Sequence, residues 1–165
     1  MGLLLALGPV CSAGAACDGV VRLHVIASDD GAAAQALKLH VRDAVLVKAR
    51  AILSDAGDAE AAWQAICDNR DALEAAARAA ALSGGQTAAC ETGVFPFPER
   101  RYGDMTLPAG DYRALRVVIG AGEGRNWWCV LYPALCYPAG KAPAEVGFHS
   151  AILDWLARLF GGGES

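Results

Sequence analysis

The sequence predicts one α/β domain in which a mixed β-sheet of about four strands packs against two long helices and a C-terminal helix. The chain has 165 residues, which is the length of a single domain. Stretches in which apolar residues alternate with polar ones, as in strands, are interspersed with stretches of helical periodicity. Hydrophobic residues make up 55% of the chain, so a domain of this size can fold around a core without metal or disulfides.

The first strand and the first helix are predicted at residues 20–27 and 31–53. Apolar side chains alternate with other types along residues 20–27, which is the pattern of a half-buried strand. Ser28-Asp29-Asp30 supplies short side-chain oxygens that can cap the following helix. In that helix, Leu37, Val41, Ala44, Val45 and Ile52 share one face, whereas Lys38, Arg42 and Lys48 point elsewhere.

A second long helix is predicted to run from Asp58, whose side chain can cap it, to Leu82. Gly84-Gly85 should end this helix. Cys67 falls on its apolar face and is expected to be a buried thiol. A C-terminal helix is predicted at residues 147–160, followed by a disordered tail at residues 161–165.

Three further strands are predicted at residues 87–94, 112–120 and 127–132. Prolines at positions 96, 98 and 108 exclude a central strand between the first two, because proline cannot donate a ladder hydrogen bond. The glycines of residues 120–124 are followed by a strand and not by a helix. We therefore interpret them as a hairpin connection and not as a nucleotide-binding loop.

The first 17 residues form a distinct segment that contains no charged residue. An apolar run from Leu3 to Leu7 is followed by small residues, which is typical of a signal peptide or an N-terminal membrane anchor. The basic residues that usually precede the apolar run are absent. The alternatives are a mis-assigned start codon and an uncleaved strand or helix that is buried in the domain. The domain itself is expected to span residues 18–160.

The charge balance and the spacing of potential ligands exclude several classes of protein. Acidic residues outnumber Lys and Arg by 18 to 14, which argues against a nucleic-acid partner because phosphate binding needs an excess of positive charge. The six cysteines and three histidines lack the clustered spacing of a structural zinc site. We therefore expect neither a metal nor a small-molecule cofactor.

Cys129 and Cys136 are the cysteines best placed to pair with each other. Pro133 favours a reversal of the chain between them. In an oxidising compartment this disulfide would add about 2.5 kcal/mol of stability on the chain-entropy model. Two free buried thiols are the alternative.

A secreted hydrolase is one functional class that the sequence allows. It would use His24 with nearby acids such as Asp29, or a cysteine such as Cys129 as the nucleophile. No spacing brings these residues together. In addition, Cys129 lies in a predicted strand between bulky apolar neighbours, whereas catalytic thiols usually occupy accessible positions.

Ordered motifs along the chain match those of a known family. They are Arg22 to Ala27, Gln35 to Lys38, Val41 to Ala44, Tyr102-Gly103-Asp104, Leu107 to Gly110, Arg116 to Gly120, and Asn126 to Leu131 with Pro133 and Leu135-Cys136. In these motifs, which span about residues 20–138, the chain resembles the stage II sporulation protein R family.

The resemblance implies a signalling protein of endospore-forming bacteria. Such a protein is made in the forespore and exported into the space between the two membranes that separate it from the mother cell. There it would activate a membrane-embedded aspartic protease that removes the pro-sequence of the sigma-E factor. The protein would therefore be an activator of that protease and not an enzyme.

Loops that match the family carry more polar residues than packing requires, and loops on rigid scaffolds often hold recognition residues. If the strands present these loops on one rim, they form one partner-binding patch. Its predicted members are His24, Asp30, Arg42, Asp43, Tyr102, Asp104, Asn126 and Trp127. The alternative is structural, because Asp30 could cap its helix and Asn126 could hold a turn.

Trp127 and Trp128 should face opposite sides of the sheet, because successive side chains of a strand alternate between its faces.

Overall fold

The computed structural model of the chain describes residues 19–102 and 105–134. The elements in chain order are β1 (Val21–Ile26), α1 (Ala32–Leu53), α2 (Ala59–Asp68), α3 (Arg70–Leu82), β2 (Ala88–Phe97), β3 (Arg100–Tyr102), β4 (Met105–Leu107), β5 (Gly110–Ile119) and β6 (Asn126–Tyr132). The predicted α/β class with a four-stranded mixed sheet is confirmed. The N-terminal segment, the predicted helix at 147–160 and the tail lie outside the described residues.

The sheet has the strand order β2-β5-β1-β6. β1 pairs in parallel with β5 and antiparallel with β6, and β2 pairs antiparallel with β5. β1 is a central strand, and its side chains are buried on both faces of the sheet. Arg22 is 0% exposed and His24 is 7% exposed, so the expectation of a half-buried first strand is wrong.

The three helices cover one face of the sheet. The core there combines alternate residues of the strands, such as Leu23, Leu115 and Cys129, with Val41 of α1 and Ile66 of α2. Burying these apolar side chains contributes roughly 25 cal/mol per Å² of surface removed from water. This core fixes the positions of β1 and β6, which carry the residues discussed below.

The second predicted helix is two helices in the structure. Asp58 caps the first of them as predicted, because its Oδ1 accepts a hydrogen bond of 2.8 Å from the Ala61 backbone N–H. Asn69 interrupts the helix, and its Nδ2 donates to the carbonyl of Ala65. The second of the two helices ends at Leu82 as predicted, and Gly85 adopts a φ of 68° just beyond it, in the left-handed region that glycine tolerates.

A small hairpin, formed by β3 and β4, contributes to a second cluster on the opposite face of the sheet. Sequence reasoning missed this hairpin in the proline-rich segment. β2 also extends beyond its predicted end, through Pro96 to Phe97. Proline is tolerated there because β2 is the outermost strand of the described sheet.

The glycine-rich loop after β5 is not a hairpin connection, because β1 lies between β5 and β6. The loop instead crosses the end of β1. The backbone N–H of Gly124 donates to the carbonyl of Ala27 over 2.9 Å, and that of Glu123 donates to the carbonyl of Ser28 over 3.2 Å. Gly120 and Gly122 have φ values of 54° and 67°, which explains glycine at these two positions.

The cysteines depart in part from expectation. Cys67 is buried as predicted, but it is disulfide-bonded and not a free thiol. Cys129 is also disulfide-bonded, whereas Cys90 is a free buried thiol whose pKa burial raises to about 12. Cys136 lies outside the described residues, so its pairing with Cys129 is not seen and stays a prediction.

Within residues 19–102 and 105–134, none of the helices combines the length and the apolar character needed to cross a membrane.

Candidate functional site

The residues predicted to form one patch lie on both faces of the sheet. Successive side chains of a strand point to opposite faces. On the face away from the helices, β1 presents Arg22 and His24, and β6 presents Asn126 and Trp128. We call this surface, with Arg116 of β5, the outer face.

His24 and Asn126 are brought together on the outer face, as the predicted patch requires. The His24 Nε2 and the Asn126 Oδ1 are 2.8 Å apart. Because the amide oxygen accepts the hydrogen bond, the imidazole must carry a proton on Nε2. Asn126 is exposed and His24 is buried, so the pair links the surface to the interior of the sheet.

Trp128 was not among the predicted patch residues, yet its ring holds the imidazole in place. The two ring centroids are 3.8 Å apart and the planes are inclined by 18°, which is a stacked arrangement. Phe97 meets both rings edge-on, at 6.0 Å from His24 and 4.8 Å from Trp128. Edge-on and offset contacts of this type are favourable for aromatic rings.

The environment of His24 favours its neutral form. Burial lowers the pKa of His24 below its ordinary value of 6.5, the hydrogen bond to Asn126 acts in the opposite direction, and the positive charge of Arg116 lowers the pKa further. The imidazole is therefore neutral at neutral pH.

We expect the stability of the protein to fall as the pH falls below about 6.5. The pKa of His24 is lower in the folded chain than the ordinary value of 6.5, so the unfolded chain takes up the proton first. The stabilisation is complete above that value and is lost as the pH falls towards the folded pKa, with a slope of at most about 1.4 kcal/mol per pH unit.

Urea unfolding at several pH values between about 5 and 7.5 tests this expectation. His24→Gln should remove this part of the pH dependence, whereas His40→Gln, at an exposed position of α1, should retain it. Equal pH profiles for the two variants would contradict the assignment to His24.

Arg22 was also missed by sequence reasoning. It lies two residues before His24 in β1, so the two side chains point to the same face of the sheet. Its side chain is 0% exposed. Its guanidinium carbon lies 4.1 Å from the ring centroid of Phe97, 4.7 Å from that of Tyr112 and 5.8 Å from that of Tyr102. The Arg22 Nη2 donates a hydrogen bond of 2.7 Å to the Tyr102 hydroxyl. This bond places Tyr102, a predicted patch residue, on the outer face.

Asp30 lies at the rim of the sheet, and it does not cap α1. The N-cap of α1 is Gly31, with no side-chain hydrogen bond. Asp30 Oδ1 instead accepts a hydrogen bond of 2.7 Å from the backbone N–H of Arg125. The prediction that residues 28–30 supply the helix cap is therefore wrong, because Asp30 binds the loop that leads into β6.

Lys38 reaches the same rim from α1, contrary to the expectation that it points away from the core. Its Nζ donates to the Arg125 carbonyl over 2.9 Å and to Gln35 Oε1 over 2.7 Å. Burial, together with the charges of Arg125 and Arg42, lowers the pKa of Lys38, and Asp30 acts in the opposite direction. Lys38 thus stabilises the entry to β6.

Arg42, Asp43 and Trp127 form a separate group on the helical side. The Arg42 Nε donates to Asp43 Oδ1 over 2.8 Å, and the guanidinium carbon lies 4.4 Å from the Trp127 ring centroid. Trp127 and Trp128 therefore face opposite sides of the sheet, as predicted. The sheet separates this group from His24 and Asn126, and a single partner-binding patch that includes both groups stays a prediction. Asp104 lies outside the described residues.

The described geometry does not assemble a hydrolase site. The imidazole of His24 contacts an amide, whereas Asp29 binds Ser28 and the Gly31 backbone N–H. Cys129 is disulfide-bonded and packs in the core on the helical side. In this part of the chain the three residues of that hypothesis do not meet.

Comparison with known proteins adds independent information. Residues 17–141 match the family model described as stage II sporulation protein R. Stage II sporulation protein R of Bacillus subtilis (strain 168) is 35% identical over 122 residues, which cover 73% of this chain and 54% of that relative. The chain therefore spans about half the length of the relative. No solved structure is significantly similar to this chain.

Proposed function

The chain belongs to the stage II sporulation protein R family, and on this premise we propose that it is an exported signal that activates a membrane-embedded protease. That protease is the aspartic protease that removes the pro-sequence of sigma-E in the mother cell. A role in sporulation follows from the family. What we propose beyond this role is that the protein is exported and that its partner is this protease.

The observation that carries the proposal is the pairing of His24 with Asn126. These residues are far apart in the sequence and belong to motifs that resemble the family, and they meet over 2.8 Å at the edge of the outer face. The partner of the imidazole is an amide, which neither takes nor gives a proton at neutral pH. This arrangement suits recognition of a protein surface better than acid–base catalysis.

The cysteines and the N-terminal segment support export. Cys67 and Cys129 are disulfide-bonded, and disulfides persist in oxidising compartments outside the cytosol. Residues 1–17 have the uncharged, apolar character of a signal peptide.

Deletion of the gene in a sporulating cell tests the proposal. We expect pro-sigma-E to remain unprocessed in the deletion strain and to be processed again when the gene is restored. Processing that continues without the gene would contradict the proposal.

Turnover of an ester or peptide by the purified protein would favour the hydrolase alternative. Co-purification with the extracytoplasmic part of the protease would identify the partner directly.

Asn126→Ala should reduce pro-sigma-E processing, and it should also lower the free energy of unfolding by about 1 kcal/mol, because the buried His24 Nε2–H loses its acceptor. The side chain is exposed, and loss of an interface contact of this type costs about 1.4 kcal/mol or more, which is a tenfold loss of affinity. Gln64→Ala is the matched control, because Gln64 is an exposed amide on α2 and should behave as the wild type. Full processing by a normally folded Asn126→Ala variant would exclude Asn126 from the interface.

A further inference from the structure

Arg22 is a buried cation whose hydrogen-bonding capacity is largely unused. Its side chain is 0% exposed. The Nη2 group donates to Tyr102, but the buried Nε and Nη1 groups have no hydrogen-bond partner. Buried polar groups are nearly always hydrogen-bonded in folded proteins, so these donors require a specific explanation.

The described residues around Arg22 supply aromatic rings and no carboxylate that pairs with it. The nearest partners of the guanidinium are the faces of Phe97, Tyr112 and Tyr102, and among the described residues no carboxylate forms an ion pair with it. Cation–π contacts offset part of the loss of hydration. They leave the N–H donors in the plane of the guanidinium unsatisfied, because those donors point away from a ring stacked on its face.

We propose that Arg22 and Tyr102 form a binding site for the carboxylate of an aspartate or glutamate side chain on the partner protein. A carboxylate accepts the hydrogen bonds that Nε or Nη1 offers, and its single negative charge balances the single charge of Arg22. The Tyr102 hydroxyl accepts from Arg22 and can donate its own proton to the same carboxylate. The inference rests on the proposed function for the identity of the partner.

The position of Tyr102 defines the direction from which the carboxylate arrives. Phe97 and Tyr112 are buried, whereas Tyr102 is partly exposed. Tyr102 belongs to the β3–β4 hairpin, which is a separate two-stranded sheet and does not pair with the four-stranded sheet. Because Arg22 is 0% exposed, a carboxylate reaches its donors only when the Tyr102 side chain shifts, and such a shift does not break the ladder of the main sheet.

Titration of the protein with N-acetylglutamate α-amide tests the site directly, with N-acetylglutamine α-amide as the neutral control. The Nε–H resonance of Arg22, assigned by its loss in Arg22→Lys, should shift with the glutamate probe and not with the glutamine probe. The Arg116 resonance should not shift, because Arg116 is already paired with Glu91. Tyr102→Phe should weaken the binding about tenfold. No shift at Arg22, or equal shifts at Arg22 and Arg116, would overturn the proposal.

Arg22→Met distinguishes a binding role from a structural one. Methionine keeps the apolar contacts with the rings and removes the unpaired charge, so the melting temperature should be unchanged or higher, whereas pro-sigma-E processing should be lost. A lower melting temperature together with retained processing would show that Arg22 is structural and overturn the proposal. If the wild-type protein itself supports no processing, the proposed function fails, and the glutamate titration still decides whether the site exists.

Discussion

Replacing Gly124 with alanine should lower the free energy of unfolding by about 3 kcal/mol, at the upper end of the range for overpacking. A Cβ atom at this position would lie 2.2 Å from the carbonyl oxygen of Asp29 and 2.9 Å from the Cβ of Ala27. The closest atom belongs to the backbone, so a change of side-chain rotamer cannot relieve the contact. The loop that crosses β1 must therefore move away from the end of that strand.

The displacement caused by Gly124→Ala should also reach the candidate site. The Gly124 backbone N–H donates to the carbonyl of Ala27. The next residue, Arg125, donates its backbone N–H to Asp30, and Asn126 accepts the hydrogen bond of His24. We expect a lower denaturation midpoint in urea and a reduced occupancy of the His24–Asn126 hydrogen bond by NMR. Gly57→Ala is the control, because nothing lies within 4 Å of the added atom. Equal stability of the two variants would show that the loops are not packed as described.

Local pattern predicted the larger elements of this fold well. The alternation of residues 20–27 and the helical spacing of residues 31–53 correspond to β1 and α1 within one residue at each end. These signals are local, because strand and helix periodicity are properties of consecutive residues. The interruption at Asn69 had no such signal, since α2 and α3 together continue one apolar stripe across the break.

The errors share a physical cause, which is that strand order depends on contacts between distant segments. The sequence does not indicate that β5 and β6 lie on either side of β1. The glycine loop was therefore interpreted as a hairpin. The first strand was expected to be half-buried because the second cluster, which covers its other face, is also built from distant segments. The short β3–β4 hairpin is held by its packing on the second cluster, and its three-residue strands are too short for a periodic signal.

The candidate site shows the same division between local and distant information. Family resemblance selected His24 and Asn126, and the structure brings them together. Arg22 and Trp128 were not among the predicted members, although Arg22 lies two residues before His24 in β1 and Trp128 follows Trp127 in β6. Arg42 and Trp127 lie on the helical side of the sheet, which the sequence does not indicate because the face that the helices cover depends on contacts between distant segments.

A second large effect is expected at Trp128, the ring that stacks on His24. Trp128→Ala should lower the free energy of unfolding by about 3 kcal/mol, at the lower end of the range for removing a large aromatic side chain, because Trp128 is only half-buried. The variant loses the stacked contact with His24 and the edge-on contact with Phe97. Trp128→Phe keeps an aromatic ring in place and should lose less stability.

The same substitution should change the pH dependence of stability, because Trp128 contributes to the burial of His24. Burial is the main reason that the pKa of His24 lies below 6.5, so opening the site to water should raise this pKa towards its ordinary value. Unfolding curves at about pH 7.5 and pH 5 should then differ less for Trp128→Ala than for the wild type, and Trp128→Phe should fall between them. A pH difference in Trp128→Ala as large as that of the wild type would mean that Trp128 does not shield the imidazole, and that the stacked pair does not determine the protonation of His24.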